Sequence, residues 1–210
     1  MQQILNWAEV WATLIPIITW LIIKANSESA IYKPLFYFFL ISLTLYVLID
    51  LAYFKILKTN NFIYTLISLN RLLFFVNFFF YLNIFDAKKT KGLLLAIMSL
   101  IVILSIINNP IAKFNSILFS IESVIFIMFS IKYYFKIIHS DIASKNSNEV
   151  LLIVTGLAIY ESACFPIFLA YNTLIDLNRS YATNIWNVHN IAYIIFCLFI
   201  ARAFYGNTKR

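Results

Sequence analysis

The sequence predicts an all-α, polytopic transmembrane helical bundle, and three observations carry that expectation. Hydrophobic residues make up 62% of the chain and charged residues 12%, against roughly 45–50% and about 25% in an ordinary soluble domain. The apolar residues fall in stretches of the length that crosses a bilayer, about 20 residues. The charged residues collect in short runs between those stretches. With 3 Gly and 4 Pro among 210 residues there is little material for loops, so a single transmembrane domain over residues 1–210 is expected.

The apolar stretches number seven, at 4–23, 34–54, 62–84, 93–109, 114–135, 150–171 and 184–204. Hydrocarbon offers the backbone no hydrogen-bond partner, so each stretch is expected to be a helix. None shows the in/out alternation of a barrel strand. The first is read as a retained span: no basic residue precedes it, Glu9 interrupts it, and no small-residue cleavage motif follows. The fourth is the shortest and ends at Asn108-Asn109-Pro110, a turn signal. The longest connections are 139–149 on one side and 172–183 on the other. Short connections leave no room for an extramembrane domain, so any signal is expected to leave through the bundle or through another chain.

Basic residues set the orientation. One side carries Lys24, Lys33, Lys88, Lys89, Lys91, Lys132, Lys136, Lys145, Arg202, Lys209 and Arg210, the other Lys55, Lys58, Lys113 and Arg179. The positive-inside rule makes the richer side cytoplasmic, with the N-terminus outside and the C-terminus in the cytoplasm. A multi-pass protein of the cell inner membrane is expected. The net charge of +7 is assigned to anionic headgroups of the lipid bilayer rather than to nucleic acid, because the basic residues flank the apolar stretches.

Ionisable groups inside the stretches are costly unless paired, which makes them the most informative residues. At 1.5 Å per residue, Arg71 and Glu161 lie about 15 Å below the outer end of their spans, Glu122 about 12 Å, Glu9 and His189 about 8 Å and Asp50 about 6 Å. All fall in the outer half. Asn70 and Asn77 on the third span, Asn187 and Asn190 on the seventh, and Ser116, Ser120 and Ser123 on the fifth repeat at spacings that share a helix face. Two accounts stay open: hydrogen-bonded glue between helices, and a polar pocket open to the outside and floored near Arg71 and Glu161. The pocket candidates are Glu9, Asp50, Asn70, Arg71, Asn77, Glu122, Glu161, Asn187, His189 and Asn190. Arg71 is expected to face the interior as counter-ion to Glu122 or Glu161. A site with four acids and one obligate cation is expected to favour a cation, a proton or an amine.

No catalytic residue, metal site or cofactor is assigned. The chain lacks HExxH, CxxC, GxSxG and a phosphate-cradling glycine loop. His139 and His189 belong to opposite sides, so they do not suit a haem. Cys164 and Cys197, each inside an apolar stretch, read as small buried hydrophobes. The run Phe74, Phe75, Phe78, Phe79, Phe80 and Tyr81 covers several helix faces and reads as packing and lipid contact.

Over residues 32–204 the chain resembles a group of small seven-helix membrane proteins of the Bacteroidota, found alone or as the membrane part of sensor kinases. The likeness lies in the Asn-plus-aromatic third span and in FNSILFSIESVIFIMFSIKYYF (114–135), GLAIYESACFPIFL (156–169) and IWNVHNIAYIIF (185–196). It implies a sensory or accessory role and no catalytic residue.

The function expected first is a non-enzymatic membrane sensor or accessory subunit whose pocket takes a small molecule, lipid or cation and which signals through a cytoplasmic or membrane protein partner. The alternatives are an oligomeric effector or channel-like subunit, as in host defence, and an intramembrane lipid-modifying enzyme using the carboxylates and His189 as acid and base. The topology is directly testable: a phosphatase fused after Arg210 should be inactive, and one inserted within 172–183 active. The reverse pair would sink the orientation.

Overall fold

The computed structural model describes residues 7–23, 31–53, 61–84, 114–139, 147–177 and 179–207, together with Gly92 and Ser99. These residues form six helices: α1 (Ala8–Ile23), α2 (Tyr32–Tyr53), α3 (Asn61–Tyr81), α4 (Ser116–His139), α5 (Ser147–Leu177) and α6 (Arg179–Asn207). Five stretches, Tyr32–Leu51, Ile63–Tyr81, Ser116–His139, Asn148–Leu177 and Thr183–Gly206, are long and apolar enough to cross a membrane. Among the described residues helix is the only regular structure, and the apolar helices make this a membrane-embedded protein. Helix α1 has 16 residues, about 24 Å of rise against a hydrocarbon core of about 30 Å. Six of the seven apolar stretches thus coincide with helices. The fourth, 93–109, lies outside the described residues apart from Ser99.

One boundary expectation is corrected. Residues 172–177 and 179–183 are helical, with α5 continuing to Leu177 and α6 beginning at Arg179. The polar residues there do not end the helix, and α5, at 31 residues, is about 46 Å long. Asn172 accordingly faces protein, donating from Nδ2 to the Phe114 carbonyl at 3.2 Å.

The helices pack in chain order, α1 on α2, α2 on α3 and so on, and α6 returns to α1, so the six close a ring. The tightest seam is α5 on α6, the loosest α3 on α4. Gly156 makes the first possible: a β-carbon there would lie 2.7 Å from the Phe199 β-carbon. Aromatic rings fill the middle of the ring of helices. Phe75 of α3 meets Phe38 of α2 at 5.3 Å, Phe126 of α4 at 5.4 Å and Phe196 of α6 at 6.1 Å. Large apolar side chains also cover the outside, as with Met128 and Leu169, 62% and 61% exposed. Apolar exteriors around buried charges are what a lipid solvent selects.

The ends of α3 and α4 are locally encoded. Asn115 caps α4, its Oδ1 accepting from the Leu118 amide at 3.2 Å. Asn83 ends α3 in the left-handed region at φ 53°. The Ile84 amide reaches back to the Phe79 carbonyl and the Asn83 amide to Phe80, the hydrogen-bond pair of a Schellman ending. Lys136 of α4 then donates to the Leu82 and Asn83 carbonyls at 2.7 and 3.0 Å, placing a cation at a helix C-terminus.

Gly156→Ala should destabilise the protein by about 1–3 kcal/mol, since the Phe199 β-carbon cannot rotate away and the two helices must part. Equilibrium unfolding in detergent measures it. Unchanged stability would mean that α5 and α6 lie further apart than this contact implies.

Candidate polar site at one end of the bundle

Arg71 occupies the middle of α3, and its guanidinium joins three helices. Nε lies 3.3 Å from Glu122 Oε1 of α4, and Nη2 pairs with Glu161 Oε1 of α5. Ser68, one turn before Arg71, donates to Glu122 Oε2 at 2.8 Å, and Ser123 of α4 donates to Glu161 Oε2 at 2.8 Å. The guanidinium carbon sits 5.8 Å from the Phe119 ring centre and 5.2 Å from that of Tyr160, within cation–π range. Arg71, Glu122, Glu161, Ser68 and Ser123 are all buried. Glu122 Oε1 has the 3.3 Å ionic contact but no hydrogen bond of its own. The expected partnership of Arg71 with Glu122 or Glu161 is therefore realised with both.

A second polar line joins α5, α6 and α1. His189 Nε2 is 3.0 Å from Glu9 Oε1, and Nδ1 is 3.3 Å from Cys164 Sγ. Rings of Trp186, Phe168 and Tyr160 flank the imidazole with centroids 4.6, 5.5 and 5.6 Å away. Thr13 donates to the Glu9 carbonyl, which leaves its oxygen to accept from the Tyr193 hydroxyl at 2.8 Å.

Between the two groups lies a small void. It is lined by Glu9 of α1, Tyr46 of α2, Tyr64, Ile67 and Arg71 of α3, Phe119 of α4, Tyr160 and Phe168 of α5, and Trp186 and His189 of α6. All six helices contribute. The void leaves about 10 Å³ for the centre of a water-sized molecule, the room that one water needs.

The other candidates lie elsewhere. Asp50 is half-buried, away from the void lining, and its Oδ2 makes no hydrogen bond. Asn70 ties α3 to α2, donating to the Phe38 carbonyl at 3.3 Å and to Ser42 Oγ at 3.0 Å. Asn77 is exposed and donates to the Leu73 carbonyl of its own helix at 2.6 Å. It borders a separate surface groove with Ile31, Pro34, Phe74, Phe78 and Tyr81. Asn190 is buried and Asn187 half-buried, and neither lines the void. Of the serine stripe only Ser123 bonds across helices, Ser120 donating instead to the Ser116 carbonyl.

Several residues of the site were not among the expected ones: Ser68, Tyr46, Tyr64, Tyr160, Cys164 and Trp186. A signal existed for some. Ser68 precedes Arg71 by three, Trp186 precedes His189 by three and Tyr160 precedes Cys164 by four, so each shares a helix face with a polar residue. No family model matches the chain, and no curated protein or solved structure matches it either.

Arg71→Ala should cost about 3–5 kcal/mol, because it leaves two buried carboxylates without their shared cation. Adding Glu122→Gln and Glu161→Gln should restore part of the loss. Denaturant unfolding of the three proteins checks this; a single variant as stable as the parent would show that the ion cluster is not what holds α3 to α4 and α5.

Proposed function

We propose that this chain is a sensor or accessory subunit of the cell inner membrane, with seven spans, its N-terminus outside and its C-terminus in the cytoplasm, acting through a partner protein. One observation carries the reading: the polar void is the place where all six helices converge. A change of charge or occupancy there acts on every helix at once, which is what coupling an input to a distant surface requires. The opposite end of the bundle presents Lys33, Lys132, Lys136 and Arg202, all exposed, as a basic surface for the partner or for anionic headgroups. The resemblance to small Bacteroidota membrane proteins agrees with such a role.

The alternatives fit the geometry less well. Among the described residues, rings back the site toward the basic end, with Phe196 stacked on Tyr160 at 5.6 Å and Phe75 beyond it at 6.1 Å from Phe196. That disfavours a pore along the bundle axis. Cys164, His189 and Glu9 stand in the order thiol, imidazole, carboxylate, yet the thiol does not border the void. A void of about 10 Å³ is also far below the roughly 300–1,000 Å³ of a site for an organic ligand.

Spin labels on Lys33→Cys and Lys132→Cys test the coupling, because both positions are exposed while the native cysteines are buried. In lipid nanodiscs, Glu9→Gln should shift or broaden the distance distribution between the two labels. An unaltered distribution in a folded variant would remove the sensor reading.

A further inference from the structure

We propose that Glu9 and His189 form a proton-binding site, so that the ligand read by this membrane protein is the proton itself. This rests on the sensor reading for its consequence but not for its chemistry. Three observations lead to it. The void leaves room for the centre of about one water, enough for a proton carrier. Its polar lining consists of a carboxylate, an imidazole, a guanidinium and the Tyr46, Tyr64 and Tyr160 side chains. And the ionisable groups do not balance. Glu122 and Glu161 share the single guanidinium of Arg71, and the half-buried Glu9 faces His189, so with a neutral imidazole and ionised carboxylates the set carries two negative charges in excess. An uncompensated charge in a low-dielectric interior is strongly unfavourable. A proton is the one cation that cancels it without needing space.

The contacts of His189 offer that proton a site. In the neutral ring, the carboxylate of Glu9 fixes the tautomer: Nε2–H donates to Glu9 Oε1, and Nδ1 accepts from the Cys164 thiol. An added proton occupies Nδ1. Both ring nitrogens then donate, the thiol hydrogen turns away, and the sulfur becomes the acceptor. The Glu9 contact changes from a hydrogen bond into an ion pair, which draws α1 and α6 together at the seam that closes the ring of helices. The groups facing the imidazole are Glu9 from α1, Cys164 and Tyr160 from α5 and, across the void, Tyr46 from α2 and Tyr64 and Arg71 from α3. Tyr193 lies one turn further along α6, bonded to Thr13, and Asp50 of α2 is close enough to interact electrostatically with Glu9. Charge on these groups sets the affinity of the site for a proton.

The test uses the full chain in lipid nanodiscs, labelled with ¹⁵N-histidine. His139, the other histidine, is replaced by His139→Asn, so that the spectrum reports His189 alone. Between about pH 4.5 and about pH 8.5 the two ring-nitrogen signals should pass from the single-proton to the double-proton pattern. Glu9→Gln should weaken proton binding by about tenfold or more, a displacement of at least about one pH unit, whereas Glu9→Asp, which keeps the charge, should titrate within a few tenths of a unit of the parent. An imidazole that stays neutral throughout, or one that titrates alike in parent and Glu9→Gln, overturns the proposal. If Glu9→Gln does not fold, the parent decides it: a titration of His189 accompanied by no change in the Cys164 S–H infrared band overturns the assignment of the added proton. Spin-label distances recorded over the same pH range separate this proposal from the sensor reading. Titration without movement leaves the proton site and removes the sensor; movement without titration of His189 does the reverse.

Discussion

A guanidinium midway along an apolar helix imposes the central constraint on this fold. Arg71 keeps its charge under all ordinary conditions, and in lipid it is strongly unfavourable unless carboxylates reach it. Two do, from different helices, and each is held on its far oxygen by a serine. The pairing therefore determines more than a local contact. It sets the rotation of α3, α4 and α5 about their axes, because Ser68 and Arg71, Glu122 and Ser123, and Glu161 must all face one point. That the cluster sits on the loosest helix seam follows from the same requirement: a long side chain bridges backbones that a packed pair of alanines would draw together.

The second polar line depends on the first for its position. Tyr160 and Glu161 are adjacent on α5, so fixing Glu161 against Arg71 also places Tyr160 under the guanidinium and beside His189. Cys164, one turn further on, then meets the other side of the imidazole. Glu9 arrives from α1 and completes the closure of the ring. The water-sized void is what remains when rigid aromatic rings and charged ends meet at one level without filling it.

Polar residues outside this group do simpler work. Asn70 and Ser42 fasten α2 to α3, Tyr134 and Thr155 link α4 to α5 at 3.0 Å, and Lys136 closes the end of α3. Such bonds are individually modest, about 1 kcal/mol in membrane bundles. A polar residue in an apolar helix is thus not by itself evidence of a site. Asn77, which bonds to its own backbone, shows why regular spacing from Asn70 is insufficient: a side-chain amide satisfied within its helix needs no neighbour.

The sequence by itself determined the solvent of this protein and the cost structure of its interior. Apolar stretches of bilayer length require helices, because lipid leaves the backbone no other partner, and six of them coincide with helices here. It also singled out Arg71 as a group that had to meet Glu122 or Glu161 at nearly its own depth, since rise per residue is fixed and an unpaired charge is prohibitive. Tertiary structure alone decided the rest. Depth is a one-dimensional quantity, whereas partnership depends on the rotation and neighbour order of the helices, which arise from packing between segments far apart in the chain. Hence Glu9 and His189, 180 residues apart, become bonded while Asp50, at a similar expected depth, stays out of the void lining. Hence also the tyrosines and Trp186, indistinguishable in sequence from ordinary packing aromatics, become the walls of the void.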